Sequence, residues 1–168
     1  MESFVTVVGA SGSGKTSLLA AGVLPLLDGY QRIALRPGIE PLKSLQRAFQ
    51  SALGSDDAET LREVLDREPK LLGAVLAAWS RRVGAAVVLW VDQAEELLTL
   101  GASASERAAF LSALASAATE ASGKLHLVIS LREDYFARLA IETELHGFAT
   151  RSVVVVGPPD EGQLLRSL

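Results

Sequence analysis

Phe4-Val5-Thr6-Val7-Val8-Gly9-Ala10-Ser11-Gly12-Ser13-Gly14-Lys15-Thr16-Ser17-Leu18-Leu19 is the stretch that decides the fold. Phe4 to Val8 are apolar or β-branched and read as a buried strand. The loop that follows matches G-x-x-x-x-G-K-[ST] at every fixed position, and a helical run begins directly behind it. Glycines let the backbone take positive φ and turn successive N–H groups inward, which makes a concave anion site that side chains would obstruct. The next helix adds the positive end of its dipole. Lys15 can bridge β- and γ-phosphates, and the Thr16 hydroxyl is small enough to ligate a Mg²⁺ that keeps most of its waters. The expectation is therefore a nucleoside triphosphate, Mg-ATP, held by Gly9, Ala10, Ser11, Gly12, Ser13, Gly14, Lys15, Thr16 and Ser17. A Gly-rich turn with no ligand is the bland alternative, and the flanking strand and helix weigh against it.

Working outward, four more short runs of Val, Ile and Leu read as strands: Arg32 to Leu35, Ala86 to Val91, His126 to Leu131 and Ser152 to Val156. Several are apolar at successive positions, which suits strands covered on both faces and hence a parallel sheet between helices. Helices are expected over Ser17 to Leu27, with Pro25 in its last turn, and over Pro41 to Leu53, where Leu42, Leu45, Phe49 and Leu53 form one stripe. Others are expected over Ala58 to Arg67, Leu71 to Val83, and Ser105 to Ala121, the last stopping before Gly123. Trp79 and Trp90 read as core residues. No repeat or long linker divides the chain.

Ala85-Ala86-Val87-Val88-Leu89-Trp90-Val91-Asp92 is an apolar strand ending in an acid, the Walker B pattern. A carboxylate at the C-terminal edge of a parallel sheet, beside the phosphate loop, can hold the water shell of Mg²⁺, so Thr16 and Asp92 are the candidate metal residues. Many ATPases of this type place Glu directly after that Asp, where this chain has Gln93. Gln93 could only orient a water by hydrogen bonding, whereas Glu95 or Glu96 could accept its proton. Glu95 is the preferred base and Glu96 the alternative. Arg132 ends the fourth strand and is a candidate γ-phosphate sensor; pairing with Glu133 or Asp134 alone is the competing reading. Arg36, before Pro37-Gly38, is a poorer candidate and reads as a surface charge at a turn.

Composition sets limits on the rest. One domain of 168 residues is expected, with no secretory signal and no apolar run that approaches a bilayer span, although mean hydropathy is +0.28. The absence of cysteine fits a reducing, cytoplasmic setting, and a net charge of −4 argues against a nucleic-acid surface. Arg81-Arg82, the sole adjacent basic pair, reads as a solvated helix end.

Taken together, VVGASGSGKTSLLAAGVLPLL, ALRPGIEPL, VLWVDQAEELLTL with ERAAFLSAL, LVISLREDYFARL and VVVVGPPDEGQL resemble the STAND class of P-loop NTPases, in particular the bacterial novel STAND group often found with WD40 repeats. The resemblance covers nearly the whole chain. It implies a three-layer α/β sandwich whose five-stranded parallel sheet has the order 5-1-4-3-2 and helices on both faces, the strand ending at Arg132 lying between the phosphate-loop and Walker B strands. It also implies an ATP-driven switch in signalling or defence, with other domains of a larger parent and self-association as partners. Members continue past the fifth strand into a helical lid and winged helix, so residues 1–168 read as an NTPase core. The sequence lacks the N/T-K-x-D motif of GTPases and the L-S-G-G-Q signature of transporter ATPases. It also lacks the Arg-rich lid of small-molecule kinases, Arg138 alone being nearby. The remaining alternative is a module that holds ATP or ADP as a gate for protein interaction and barely hydrolyses it.

Overall fold

The computed structural model describes residues 3–120, 124–141 and 144–157. Its centre is the sheet expected from the apolar runs: β1 (Phe4–Gly9), β2 (Tyr30–Leu35), β3 (Ala86–Val91), β4 (Leu125–Arg132) and β5 (Val153–Val155). All pairings are parallel, and the order β2-β3-β4-β1-β5 is the 5-1-4-3-2 arrangement. β4 thus separates the phosphate-loop strand from the Walker B strand, with Gly9 level with Arg132.

Side chains alternate between the two faces of this sheet, and each face has its own core. On one, Val87, Leu89, Val91, Leu127, Ile129 and Leu131 share a core with the amphipathic stripes of α2 (Pro41–Ala52), α3 (Ser55–Arg67) and α4 (Leu72–Val83) and with α6 (Ala104–Thr119), which is buried at successive positions from Phe110 to Leu114. Phe49 and Phe110 are fully buried there. On the other face, Val7, Val88 and Trp90 are covered by Leu19 and Leu24. Trp90 is buried as expected, whereas Trp79 is half-buried and its indole N–H donates to Asp57 Oδ2 at 2.8 Å. Arg82 also pairs with Asp57, so one half of the basic pair ties α4 to α3.

The segment behind the phosphate loop departs from the expected α-helix. One α-helical turn, α1 (Lys15–Ser17), passes into a π-helix over Leu18–Val23 and a 3₁₀ turn over Leu24–Leu26. Pro25 gives a reason: it has no N–H to donate, and its ring would clash with the carbonyl four residues back in a regular α-helix, so the backbone widens before it. α6 is capped by Ser103, whose Oγ accepts from Glu106 N at 3.2 Å. The expected C-terminal stop at Gly123 lies outside the described residues, as does everything after Gly157.

Gly73, at the start of α4, shows how close the helices on the first face lie. A Cβ there would sit 2.2 Å from the Ser116 carbonyl oxygen of α6, and its N–H donates to Ser116 Oγ at 3.0 Å. Gly→Ala within a helix ordinarily stabilises by about 1 kcal/mol. Here overpacking against backbone should dominate, and Gly73→Ala is expected to cost about 1–3 kcal/mol, lowering the melting temperature by several degrees. An unchanged or raised midpoint in calorimetry would contradict this close approach.

Candidate functional site

The C-terminal edge of the sheet carries a cavity of about 480 Å³ lined by Ser11, Gly12, Gly14, Lys15, Thr16, Ser17, Asp92, Gln93, Glu95, Ser130 and Arg132. Most of the residues that the sequence singled out therefore converge on one place, although they come from three strand ends separated by up to a hundred residues or more. Gly9 and Ala10 form the loop's base, and Ser13 is buried beneath it.

The loop has the backbone that the glycines were expected to give. Gly12 and Gly14 have φ of 77° and 84°, and nothing lies within 4 Å of where either Cβ would be, so the concavity is open to a ligand. Lys15 folds back over the loop, with Nζ donating to Gly9 O and Ala10 O, each at 2.8 Å, and to Ser13 Oγ at 3.4 Å. Gly9 is required for a separate reason: a Cβ would stand 2.3 Å from Val156 O and 2.8 Å from Ser13 Oγ.

Asp92 sits at the end of β3, 5% exposed, with both oxygens engaged. Thr16 Oγ1 lies 3.0 Å from Oδ1 and 3.1 Å from Oδ2; Ser130 Oγ donates to Oδ1 at 2.7 Å, and Arg36 Nε donates to Oδ2 at 3.1 Å. Trp90 Nε1 completes the chain by donating to Ser130 Oγ at 3.1 Å. Because Thr16 gives its proton to Asp92, the hydroxyl's lone pairs remain for a cation, which is the arrangement a Mg²⁺ site requires. Among the described residues no group of three or more His, Cys, Asp or Glu could hold a metal. A divalent ion here would take its other ligands from phosphate oxygens and water, as Mg²⁺ at nucleotide sites does.

The two candidate bases are placed differently. Glu95 lines the cavity, with Oε2 accepting from Arg132 N at 3.2 Å. Glu96 opens the short helix α5 (Glu96–Thr99) and faces the loop after β2, where Oε2 accepts from Gly38 N at 2.9 Å. Arg132 reaches the cavity rim, yet its guanidinium is bound by Asp134 through Nε at 3.0 Å and Nη2 at 2.6 Å, and it lies over the Tyr135 ring. The Asp134 hydrogen bond and charge hold the Arg132 pKa above its ordinary value. Both sequence-level readings of Arg132 thus have a structural counterpart: proximity to the phosphate loop and a pairing with Asp134.

Ser130 and the Arg36–Asp92 contact were not identified from sequence. Ser130 is a hydroxyl inside an otherwise apolar run, and that isolated polarity was its one signal. Arg36 has none beyond its place at a strand end.

Comparison with known proteins agrees with this fold. The chain resembles, at 10% identity and TM-score 0.68, the Aeropyrum pernix ORC2 protein solved as ADPNP-ADP complexes, covering 99% of this chain and 45% of that one. It also resembles a Walker-type ATPase of Pyrococcus abyssi (17%, TM-score 0.61, 97% and 51%) and Cdc6p from Pyrobaculum aerophilum (18%, TM-score 0.52, 98% and 41%). These likenesses concern the fold, and the chain spans about half or less of each of those proteins. No curated protein matches it in sequence. The Novel STAND NTPase 1 family, in contrast, matches residues 1–168 in full, and it is to this family of nucleoside triphosphatases that the chain belongs.

Proposed function

We propose that the chain binds Mg-ATP on residues Gly9 to Ser17 and hydrolyses it slowly, as the switch of a larger cytoplasmic signalling or defence protein. The observation that carries this reading is the Thr16–Asp92 hydrogen bond, which joins the phosphate loop to the Walker B strand. In it, the loop N–H groups and Lys15 hold the phosphates, and Thr16 with Asp92 supports the metal, which supplies charge neutralisation of the phosphate oxygens. Glu95 accepts a proton from the attacking water, and Arg132 exchanges Asp134 for the γ-phosphate. Other domains of the parent protein and further copies of it are the partners this reading expects. Among the described residues no helix is long and apolar enough to cross a membrane.

Asp92→Asn tests the metal part. Losing one negative charge beside a divalent cation should weaken Mg-ATP binding about 10- to 100-fold while changing Mg-free ATP binding by less than about threefold. Calorimetric titration with Mg²⁺ and with chelator reads the difference; equal losses in the two would remove Asp92 from the metal site.

A second reading, a nucleotide-gated interaction module with negligible turnover, is favoured by Gln93 in the place where many related ATPases carry Glu. Phosphate release from the full-length protein separates the two: turnover supports the first, and tight binding without turnover supports the second.

A further inference from the structure

Arg36 has no part in the proposed chemistry, yet the structure places it in direct line with the site. Leu35 is level with Val91 and Val91 with Ile129, so one residue further on Arg36, Asp92 and Ser130 stand side by side on β2, β3 and β4. Asp92 N–H donates to Leu35 O at 2.8 Å, which carries the ladder to that level. From there the guanidinium makes two bonds with different groups. Nε donates to Asp92 Oδ2 at 3.1 Å. With the Gln93 carboxamide turned so that its oxygen faces Arg36 and its nitrogen faces Glu96, the orientation in which donor meets acceptor at both ends, Nη2 donates to that oxygen at 3.2 Å. The Gln93 amide nitrogen in turn donates to Glu96 Oε1 at 3.1 Å, and Glu96 is itself held by Gly38 N.

Gln93 is also the sole non-glycine among the described residues with positive φ, at 53°. A left-handed backbone at such a residue persists where its surroundings over-determine it, and it is typical of functional sites. Gln93 lines the same cavity as the phosphate loop. A carboxamide has two N–H donors and two acceptor lone pairs. Arg36 and Glu96 occupy one of each, which leaves one N–H and one lone pair, the pair of functions needed to hold a water molecule in a fixed orientation.

We propose that Arg36 is a positioning residue: its two-pronged guanidinium holds the Gln93 carboxamide against Asp92, so that Gln93 orients the water that attacks the terminal phosphate. This rests on the Mg-ATP hydrolysis reading above. In the step concerned, the water oxygen bonds to the γ-phosphorus and the bond from that phosphorus to the β–γ bridging oxygen breaks, its electron pair leaving with ADP. The water's proton passes to Glu95, and Gln93 neither gains nor loses one. Lysine cannot stand in for Arg36, because a single ammonium on a flexible stem does not present two N–H groups in a fixed fork.

A double-mutant cycle on the full-length protein tests the assignment. Gln93→Ala is expected to lower kcat about 10- to 100-fold, and Arg36→Lys, which keeps the charge, about tenfold, with ATP affinity and KM within about threefold of wild type. The double variant should be no slower than Gln93→Ala alone to within about threefold, because Arg36 acts through Gln93. Effects that multiply, wild-type turnover in Arg36→Lys, or an Arg36→Lys loss of ATP affinity as large as its loss of kcat would each overturn the role. If Arg36→Lys does not fold, Arg36→Gln is put through the same cycle. A wild-type protein that binds ATP without turnover overturns this role and the hydrolysis reading while leaving nucleotide binding intact; one that does not bind ATP overturns the proposed function at its base.

Discussion

Lys15→Ala is expected to lower ATP affinity at least about 100-fold while the protein remains folded. The lysine is the one ammonium on the loop, and charge-assisted hydrogen bonds to phosphate are worth about 1.5–3 kcal/mol each, so losing two of them gives an effect of that size or more. Lys15 Nζ donates to Gly9 O, Ala10 O and Ser13 Oγ. Removing it takes one donor from each of these oxygens, of which that of Ala10 is exposed, and takes no apolar contact from either core, so the stability change should stay at about 1–2 kcal/mol. Titration calorimetry and a melting curve on the same sample check both halves. Undiminished affinity in a folded Lys15→Ala protein would end the phosphate-loop reading.

The second large effect is expected in turnover. Glu95→Gln in the full-length protein should leave ATP affinity nearly unchanged and reduce the hydrolysis rate by roughly 10²- to 10⁴-fold, the range for loss of a general base. Its carboxylate lines the cavity with one oxygen held by Arg132 N, which fixes the side chain without removing its capacity to accept a proton. Glu96→Gln should act differently. Both of its oxygens are taken, by Gly38 N and by the Gln93 amide, and its side chain is not part of the cavity lining, so its loss should loosen the loop contact and affect the rate much less. A larger effect at Glu96 than at Glu95 would transfer the base to Glu96.

Much of this was legible in the sequence, and the reasons differ from residue to residue. The strands showed themselves because apolar residues run unbroken through Val87 to Val91, Trp90 among them, and through Leu127 to Ile129, as strands buried on both faces must. The phosphate loop was legible because Gly12 and Gly14 are demanded by backbone shape and Gly9 by the close approach of Val156 O, so each of these glycines has its own physical reason. The sheet order was not readable from the residues and rested on family resemblance, since parallel pairing leaves no local mark. Three features had no sequence signal strong enough. The π-helical stretch over Leu18–Val23 looks like ordinary helix until the proline behind it is considered with the loop that fixes its start. The Arg36–Asp92 pair depends on the register between β2 and β3, which joins residues 56 positions apart. Left-handed geometry at Gln93 could not be anticipated, because glutamine is not among the residue types enriched there.

The strand order also has a temporal consequence. β1 carries the phosphate loop, and its ladder partners are β4, where Phe4 meets Leu127, and β5, where Thr6 meets Val153. Neither is close to it along the chain. During synthesis from the N-terminus, β1 emerges first and has no partner until more than a hundred further residues have followed, whereas β3 meets β2 across a much shorter interval. Closing the longer loop carries only a modest extra entropy, about 0.6 kcal/mol for each doubling of length, but it delays completion until β4 exists. A nascent or truncated chain that ends before Leu125 therefore holds every residue of the phosphate loop with neither strand that β1 pairs with.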